Sequence, residues 1–255
     1  VVAVAEGQGR PIVIVHPGSD TGESWQRVTR RLTPRFRVLR IRRRVYREGA
    51  RARSPHSIAR EVDDVLAITE LLGEPALLVG HSSGAVVALE AALRSPASFA
   101  GLLLYEPPVA TDAPLGADAL VRARRALDAG RPGEAMAIHM LEIVRMPRAL
   151  VMLIRLTPPL WNRMRTFAPG QIADDEAIEA LGVGLDRYAH LDVPTMLLGG
   201  DRSPAHLARR LDALSRVLPR VSAVTILHGQ GHLANVRAPD QVTAVIQTFA
   251  DKVFN

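Results

Sequence analysis

Ser82 is the residue whose surroundings point most directly to chemistry. It sits in Gly80-His81-Ser82-Ser83-Gly84, between the apolar run Ala76-Leu77-Leu78-Val79 and the small-residue stretch from Ala85 to Leu93. A strand entering such a pentapeptide and a helix leaving it make a nucleophile elbow, which lifts the serine hydroxyl clear of a sheet at a helix N-terminus. The flanking glycines suit a strained turn in which the two segments approach too closely for side chains. The competing reading is an ordinary Gly/Ser turn that caps a helix. A serine hydroxyl is a poor nucleophile unless a neighbouring base takes its proton. Histidines stand at 16, 81, 228 and 232, and acids that could orient a base stand at Glu106 and Asp201. No His-Glu-x-x-His, Gly-x-Gly-x-x-Gly or phosphate loop appears, so no metal and no cofactor is expected.

The elements that must position these residues alternate. Strand-like runs at Pro11 to Val15, Phe36 to Ile41, Leu77 to Val79, Leu102 to Tyr105, Thr195 to Leu198 and Val221 to Leu227 are separated by helical stretches. Ser57 to Leu72 carries apolar residues at helical spacing and ends at Gly73 and Pro75. Further helices are expected from Ser82 to Arg94, from Leu207 to Leu218 and from Pro239 onward. Strands alternating with helices imply an α/β fold, a mostly parallel sheet covered on both faces. In such sheets the chemistry gathers outside the carboxyl ends of the strands, where each of these motifs falls.

Composition narrows the partners. A chain of 255 residues with 47% hydrophobic content can bury the core of one large domain. The absence of cysteine excludes disulfides, thiol catalysis and thiolate metal sites. The net charge of +6 is almost all arginine, with Lys252 the only lysine, a bias that fits coding from a GC-rich genome. The densest run, Arg35 to Arg53, has only Phe36 and Tyr46 as aromatics, too few for a stacking platform, so it reads as a solvated edge and no nucleic-acid partner is expected. A second reading of that charge is attraction of an anionic substrate to the mouth of the site. No apolar stretch reaches membrane-spanning length, and no membrane partner is expected. The sequence opens on Val1-Val2-Ala3-Val4 with neither an initiator methionine nor a charged-then-apolar signal pattern, so residues are expected upstream and the expected localisation is cytoplasmic. The expected state is a monomer or homodimer.

These motifs together, with His16-Pro17-Gly18-Ser19 and Tyr105-Glu106-Pro107-Pro108, resemble the α/β-hydrolase family over nearly the whole chain. The resemblance implies a serine hydrolase with Ser82 as nucleophile and His232 as base, the alternatives being a biosynthetic member that uses the same site for elimination, cyclisation or acyl transfer and a non-catalytic ligand-binding member. It puts His228 second, and leaves His16 and His81 as turn and pocket structure. It also implies that the first strand of such folds is absent or only partly present here. The triad acid most often follows the penultimate strand, but counting from Pro194 that slot falls on Ser203, with Asp201 two residues earlier. A minority of the family, including haloalkane dehalogenases and coelenterazine luciferases, place the acid after the preceding strand, where Glu106 stands. Glu106 is therefore preferred and Asp201 is the alternative acid. The oxyanion donors implied are the backbone N–H groups of Ser83 and Gly18, since Pro17 has none to give.

The roughly eighty residues between the Glu106 strand and the Thr195 strand exceed an ordinary connection. They read as a helical cap of about residues 111–190, inserted between the last strands of a core at 1–110 and 191–255. Its methionines and leucines, with prolines at 147, 158 and 159, suit an adaptable apolar pocket. Trp25, His81, Met140, Trp161 and Phe167 are the candidate substrate contacts, with packing the preferred role for Trp25. Arg145, Arg148, Arg155, Arg163 and Arg165 border the entrance or face solvent. The expected substrate is a small molecule: a medium-sized, partly apolar ester, lactone or thioester, with or without an acidic group.

Overall fold

Strands that are apolar at every position must be covered on both faces, and Pro11–Val15 and Ala76–His81 are buried along their whole length. The computed structural model describes residues 2–47 and 56–255, which contain a seven-stranded sheet. The strands are β1 (Ala3–Glu6), β2 (Pro11–Val15), β3 (Arg37–Ile41), β4 (Ala76–His81), β5 (Phe99–Tyr105), β6 (Thr195–Gly200) and β7 (Val221–Leu227). Their spatial order is β1-β3-β2-β4-β5-β6-β7. Only β1 is antiparallel, with Ala3 opposite Ile41 and Glu6 opposite Val38 on β3. This edge strand was not among the expected ones, because a four-residue, half-exposed segment has too short an alternation to stand out.

The helices are α1 (Gln26–Leu32), α2 (Ile58–Leu72), α3 (Ser83–Arg94), α4 (Ala117–Asp128), α5 (Pro132–Ile138), α6 (Arg148–Arg155), α7 (Pro158–Glu179), α8 (Ala205–Val217), α9 (Ala234–Arg237) and α10 (Pro239–Phe254). Ser57 caps α2 by accepting the Arg60 N–H, and Gly73 ends it in the left-handed conformation. Strand alternation divides the core. Ile12, Ile14, Leu77, Val79 and Leu103 face the apolar side of α1 and α10. Val13, Val15, Leu78, Leu102 and Leu104 face α2 and α3.

The chain between β5 and β6 holds α4 to α7 and a π-helical turn, His139–Ile143. Pro147 and Pro158 stand where α6 and α7 begin, as expected of residues that cannot continue a helix. The apolar run at 150–154 is less buried than a pocket lining would be: Val151 is buried, whereas Leu150, Met152 and Leu153 are exposed. Among the described residues, no helix is long and apolar enough to cross a membrane.

Two members of the arginine run depart from the solvated edge expected of it, whereas Arg35, Arg37, Arg42 and Arg44 are exposed as expected. Arg40 and Arg43 are buried, because each has polar partners to replace water. Arg51 and Arg53, at the far end of that run, lie outside the described residues.

Candidate active site

The strand-to-helix turn has the geometry expected of a nucleophile elbow. Ser82 adopts φ 54° and ψ −127°, between the end of β4 and the first residue of α3. A non-glycine residue there is strained, and persists only where surrounding contacts determine it. The Ser82 N–H is held by the Tyr105 carbonyl at 2.8 Å. A Cβ on Gly84 would lie 2.3 Å from the His16 carbonyl oxygen, and one on Gly80 would lie 2.5 Å from Ala85 Cα. Both positions therefore require glycine for strand and helix to meet. Although Ser82 occupies the N-cap position of α3, its hydroxyl makes no capping hydrogen bond. The hydroxyl therefore does not serve the capping role that the competing reading of the motif gives it.

Glu106 follows directly on β5 and is 1% exposed. One of its oxygens accepts the Gly200 N–H at 2.9 Å, and the other lies 2.5 Å from His232 Nδ1. A carboxylate partner at Nδ1 fixes the proton there and leaves Nε2 as the basic nitrogen. The loop bearing His232 is pinned by Tyr105, whose hydroxyl donates to the Gly231 carbonyl and accepts the Ala234 N–H. The two alternative candidates pair with each other instead. Asp201 accepts the Gly229 N–H at 2.8 Å and lies 3.2 Å from His228 Nδ1, and the His228 side chain is 91% exposed. Ser203, in the usual aspartate slot, has a buried hydroxyl without a hydrogen-bond partner.

The other two candidate histidines, His16 and His81, are structural in their surroundings. His16 accepts the Arg43 N–H at Nε2, and its Nδ1 donates to the Pro17 carbonyl. Burial lowers its pKa to about 4 despite Asp20, and Arg43 reinforces the effect. His81 stacks on Tyr105 at 4.3 Å and lies 4.8 Å from the His232 ring. Burial, then His232, pushes its pKa well below the ordinary imidazole value. Trp25 packs edge-on against His81. Both rings are 0% exposed, so they form the floor of the core beneath the site and do not present a face to a ligand. Met140 is buried in a small cluster with Met136, Val151 and Ala168, and half-buried Trp161 and Phe167 pack against it.

A buried polar layer that the sequence reading missed lies behind the elbow. Arg43 is 1% exposed, and its guanidinium donates to Glu61 at 2.5 Å, to Ser83 Oγ at 2.6 Å and to Asp174 at 2.6 Å. Burial opposes the Asp174 carboxylate, but Arg43 and His56 outweigh it and hold its pKa below the usual range. For Glu61 burial prevails over Arg43 and raises the pKa. The Tyr46 hydroxyl donates to Asp174 at 2.7 Å. Beside it, Gln171 Oε1 accepts from the Ser19 hydroxyl at 2.8 Å, and Gln171 Nε2 donates to Asp175 at 3.0 Å. Asp175 in turn pairs with His139 Nδ1 at 2.6 Å. One signal was available: Glu61 stands three residues after Ile58 and four before Val65, on the apolar face of α2.

On the His232 side, positive charge accumulates. His206 is lowered to about 4 by burial and then by Arg210, Arg145 and Arg209, with His232 adding to the effect. Half-buried Arg210 is lowered to about 10 by burial, then by Arg145, with Asp112 opposing.

Comparison with known proteins accords with this geometry. The model of the alpha/beta hydrolase family matches residues 12–245. A stretch of 99 residues is 36% identical to a pimeloyl-[acyl-carrier protein] methyl ester esterase from Methylococcus capsulatus, spanning 38% of this chain and 37% of that enzyme. An alpha/beta hydrolase from Sphaerobacter thermophilus superposes with a TM-score of 0.83 and 29% identity, over 100% of this chain and 96% of that one. A thermophilic esterase from Thermogutta terrifontis shares the fold, with a TM-score of 0.77 and 23% identity over 100% and 94% of the two chains. The elbow at Ser82, the sheet that carries it and the span of the family match lead to one conclusion: this chain belongs to the alpha/beta hydrolase family.

Proposed function

We propose that the protein is a serine hydrolase that cleaves an ester, lactone or thioester through an acyl-enzyme. The observation that carries this reading is the Glu106–His232 hydrogen bond at the end of β5, the strand paired with the one that ends in the Ser82 elbow, whose hydroxyl is uncommitted to the helix. In this mechanism His232 Nε2 takes the Ser82 proton as Oγ bonds to the substrate carbonyl carbon. The carbonyl π electrons move to oxygen, and the N–H groups of Gly18 and Ser83 hold the resulting oxyanion. Collapse of this intermediate expels the alcohol or thiol, which takes the proton from His232. Water then attacks the acyl group by the same steps and frees Ser82. Glu106 keeps the imidazole in its productive tautomer and stabilises the imidazolium.

We read residues 111–190 as a cap over this centre, with the remainder as core. Supporting this, α7 reaches the Gly18-Ser19 loop through Gln171. The apolar cluster around Met140, Trp161 and Phe167 suits the apolar part of a substrate, and the cationic group around Arg210 suits an acidic one. A fluorophosphonate probe tests the nucleophile: labelling at Ser82, abolished in Ser82→Ala, is expected. Failure of the folded protein to label there would overturn the reading. Product analysis on an ester, lactone and thioester panel then identifies the bond cleaved. Elimination or acyl transfer to an acceptor other than water would show as products other than the free acid.

A further inference from the structure

Two sequence-distant loops supply the proposed oxyanion donors, and one helix of the β5–β6 insertion touches the support of both. Gln171 and Asp174 are three residues apart on α7 and so share a face. Gln171 accepts from the Ser19 hydroxyl, and its Oε1 lies 2.3 Å from where a Cβ on Gly18 would stand. Asp174 holds Arg43 at 2.6 Å, and Arg43 donates to Ser83 Oγ at 2.6 Å. Arg43 also donates to the His16 carbonyl, at the start of the Gly18 loop. All of these side chains except Ser19 are buried, so their hydrogen bonds are shielded from water and geometrically strict. Gly170 lets α7 come this close, since a Cβ there would lie 2.5 Å from the Val45 carbonyl oxygen.

We infer that Gln171 and the Asp174–Arg43–Ser83 chain are positioning residues, by which α7 sets the spacing of the two oxyanion donors. The inference rests on the proposed acyl-enzyme mechanism and assigns the insertion a part in turnover as well as in substrate binding. None of these side chains touches the reacting atoms; each acts through the backbone N–H of Gly18 or Ser83. A misplacement well below 1 Å at such a donor is enough to weaken transition-state binding while leaving ground-state binding largely unchanged.

The test uses Ser83→Ala, Gln171→Ala and Asp174→Asn in the full chain, with p-nitrophenyl butyrate as substrate. Ser83→Ala keeps the donor N–H and removes only the acceptor of Arg43. Expected for each is a fall in kcat of about 10-fold with KM within about twofold, and a matching loss of affinity for a trifluoromethyl ketone inhibitor. Ser83→Ala with Asp174→Asn should cost no more than the larger single change, because they act along one chain. Ser83→Ala with Gln171→Ala should cost more than either alone, because Gln171 supports the Gly18 loop, and less than their product, because Tyr46 and Arg43 link the two supports. Turnover per labelled site equal to the parent's, with only Tm lowered, would overturn the inference. If Asp174→Asn fails to fold, Ser83→Ala and Gln171→Ala decide the matter alone. Fluorophosphonate labelling of the parent is measured first, so that failure of the mechanism itself is seen separately from failure of the positioning role.

Discussion

Glu106 divides its two oxygens between Gly200 N–H and His232 Nδ1, so the backbone of β6 fixes the carboxylate that orients the imidazole. Replacing it by glutamine keeps the shape and removes the charge. Glu106→Gln is expected to lower kcat by about 10³- to 10⁴-fold. Asp201→Asn, whose carbonyl can still accept from Gly229, should leave kcat within about threefold. Steady-state rates on one ester decide this, and a reversed order would move the acid to Asp201. His81 allows a second test at this scale. Its folded pKa lies well below 6.5 because burial, then His232, disfavours the cation. As pH falls through 6.5 the unfolded chain gains a proton that the folded chain refuses, so stability is full above that pH and declines below it. The slope is up to about 1.4 kcal/mol per pH unit. His81→Phe keeps the stack on Tyr105, and its Tm should fall less than the parent's between pH 7 and pH 5. Parallel melting curves from circular dichroism would refute this account of His81. Of these residues, Ser82, His232 and Glu106 could be named from the sequence as candidates because motif and strand end are local features. Arg43 could not, because its partners at 61, 83 and 174 are distant in the chain.

At the scale of elements, the elbow depends on β2, β4 and α3 approaching to backbone contact. A Cβ on Gly84 would lie 2.3 and 2.4 Å from the carbonyl oxygens of His16 and Val15, which belong to a buried strand and its exit and cannot turn aside. Gly84→Ala is therefore expected to cost about 3 kcal/mol or more. For a chain of this size that lowers Tm by about 6 °C or more, measurable by calorimetry. A shift below about 1 °C would mean that the strand yields. Strand and helix positions were largely readable, since the β-branched run Ile12 to Val15 and the helical spacing of Ile58, Val62 and Val65 are local signals. The exposure of Leu150, Met152 and Leu153 on α6 was not, because a period gives a face but not what packs on it.

For the molecule as a whole, charge placement matters more than net charge. Much of the arginine lies in exposed ion pairs, such as Arg31–Asp240 and Arg35–Asp251, which contribute little. The group formed by Arg145, His206, Arg209 and half-buried Arg210 differs, because Asp112 is the one acid among the main influences on it. Arg210→Gln is expected to raise KM severalfold for an ester with a free carboxylate and to leave a neutral ester of equal size unchanged. Added salt should blunt the parent's preference and have less effect on the variant's. Equal KM changes for both esters would remove this group from substrate recognition.

By itself the sequence determined what is local: a serine on a strand-to-helix turn, the alternation that builds a parallel sheet, and a carboxylate directly after β5. These follow from side-chain periodicity and backbone sterics, which act over a few residues. The tertiary structure alone decided the pairings. It placed Glu106 on His232 and Asp201 on His228, although the chain order allows either match. It also buried Arg43 among Glu61, Ser83 and Asp174, where a linear reading of the arginine run finds only solvent. The physical reason is that desolvation is a property of the assembled surroundings. A charge leaves water only when partners from distant segments arrive together to replace it.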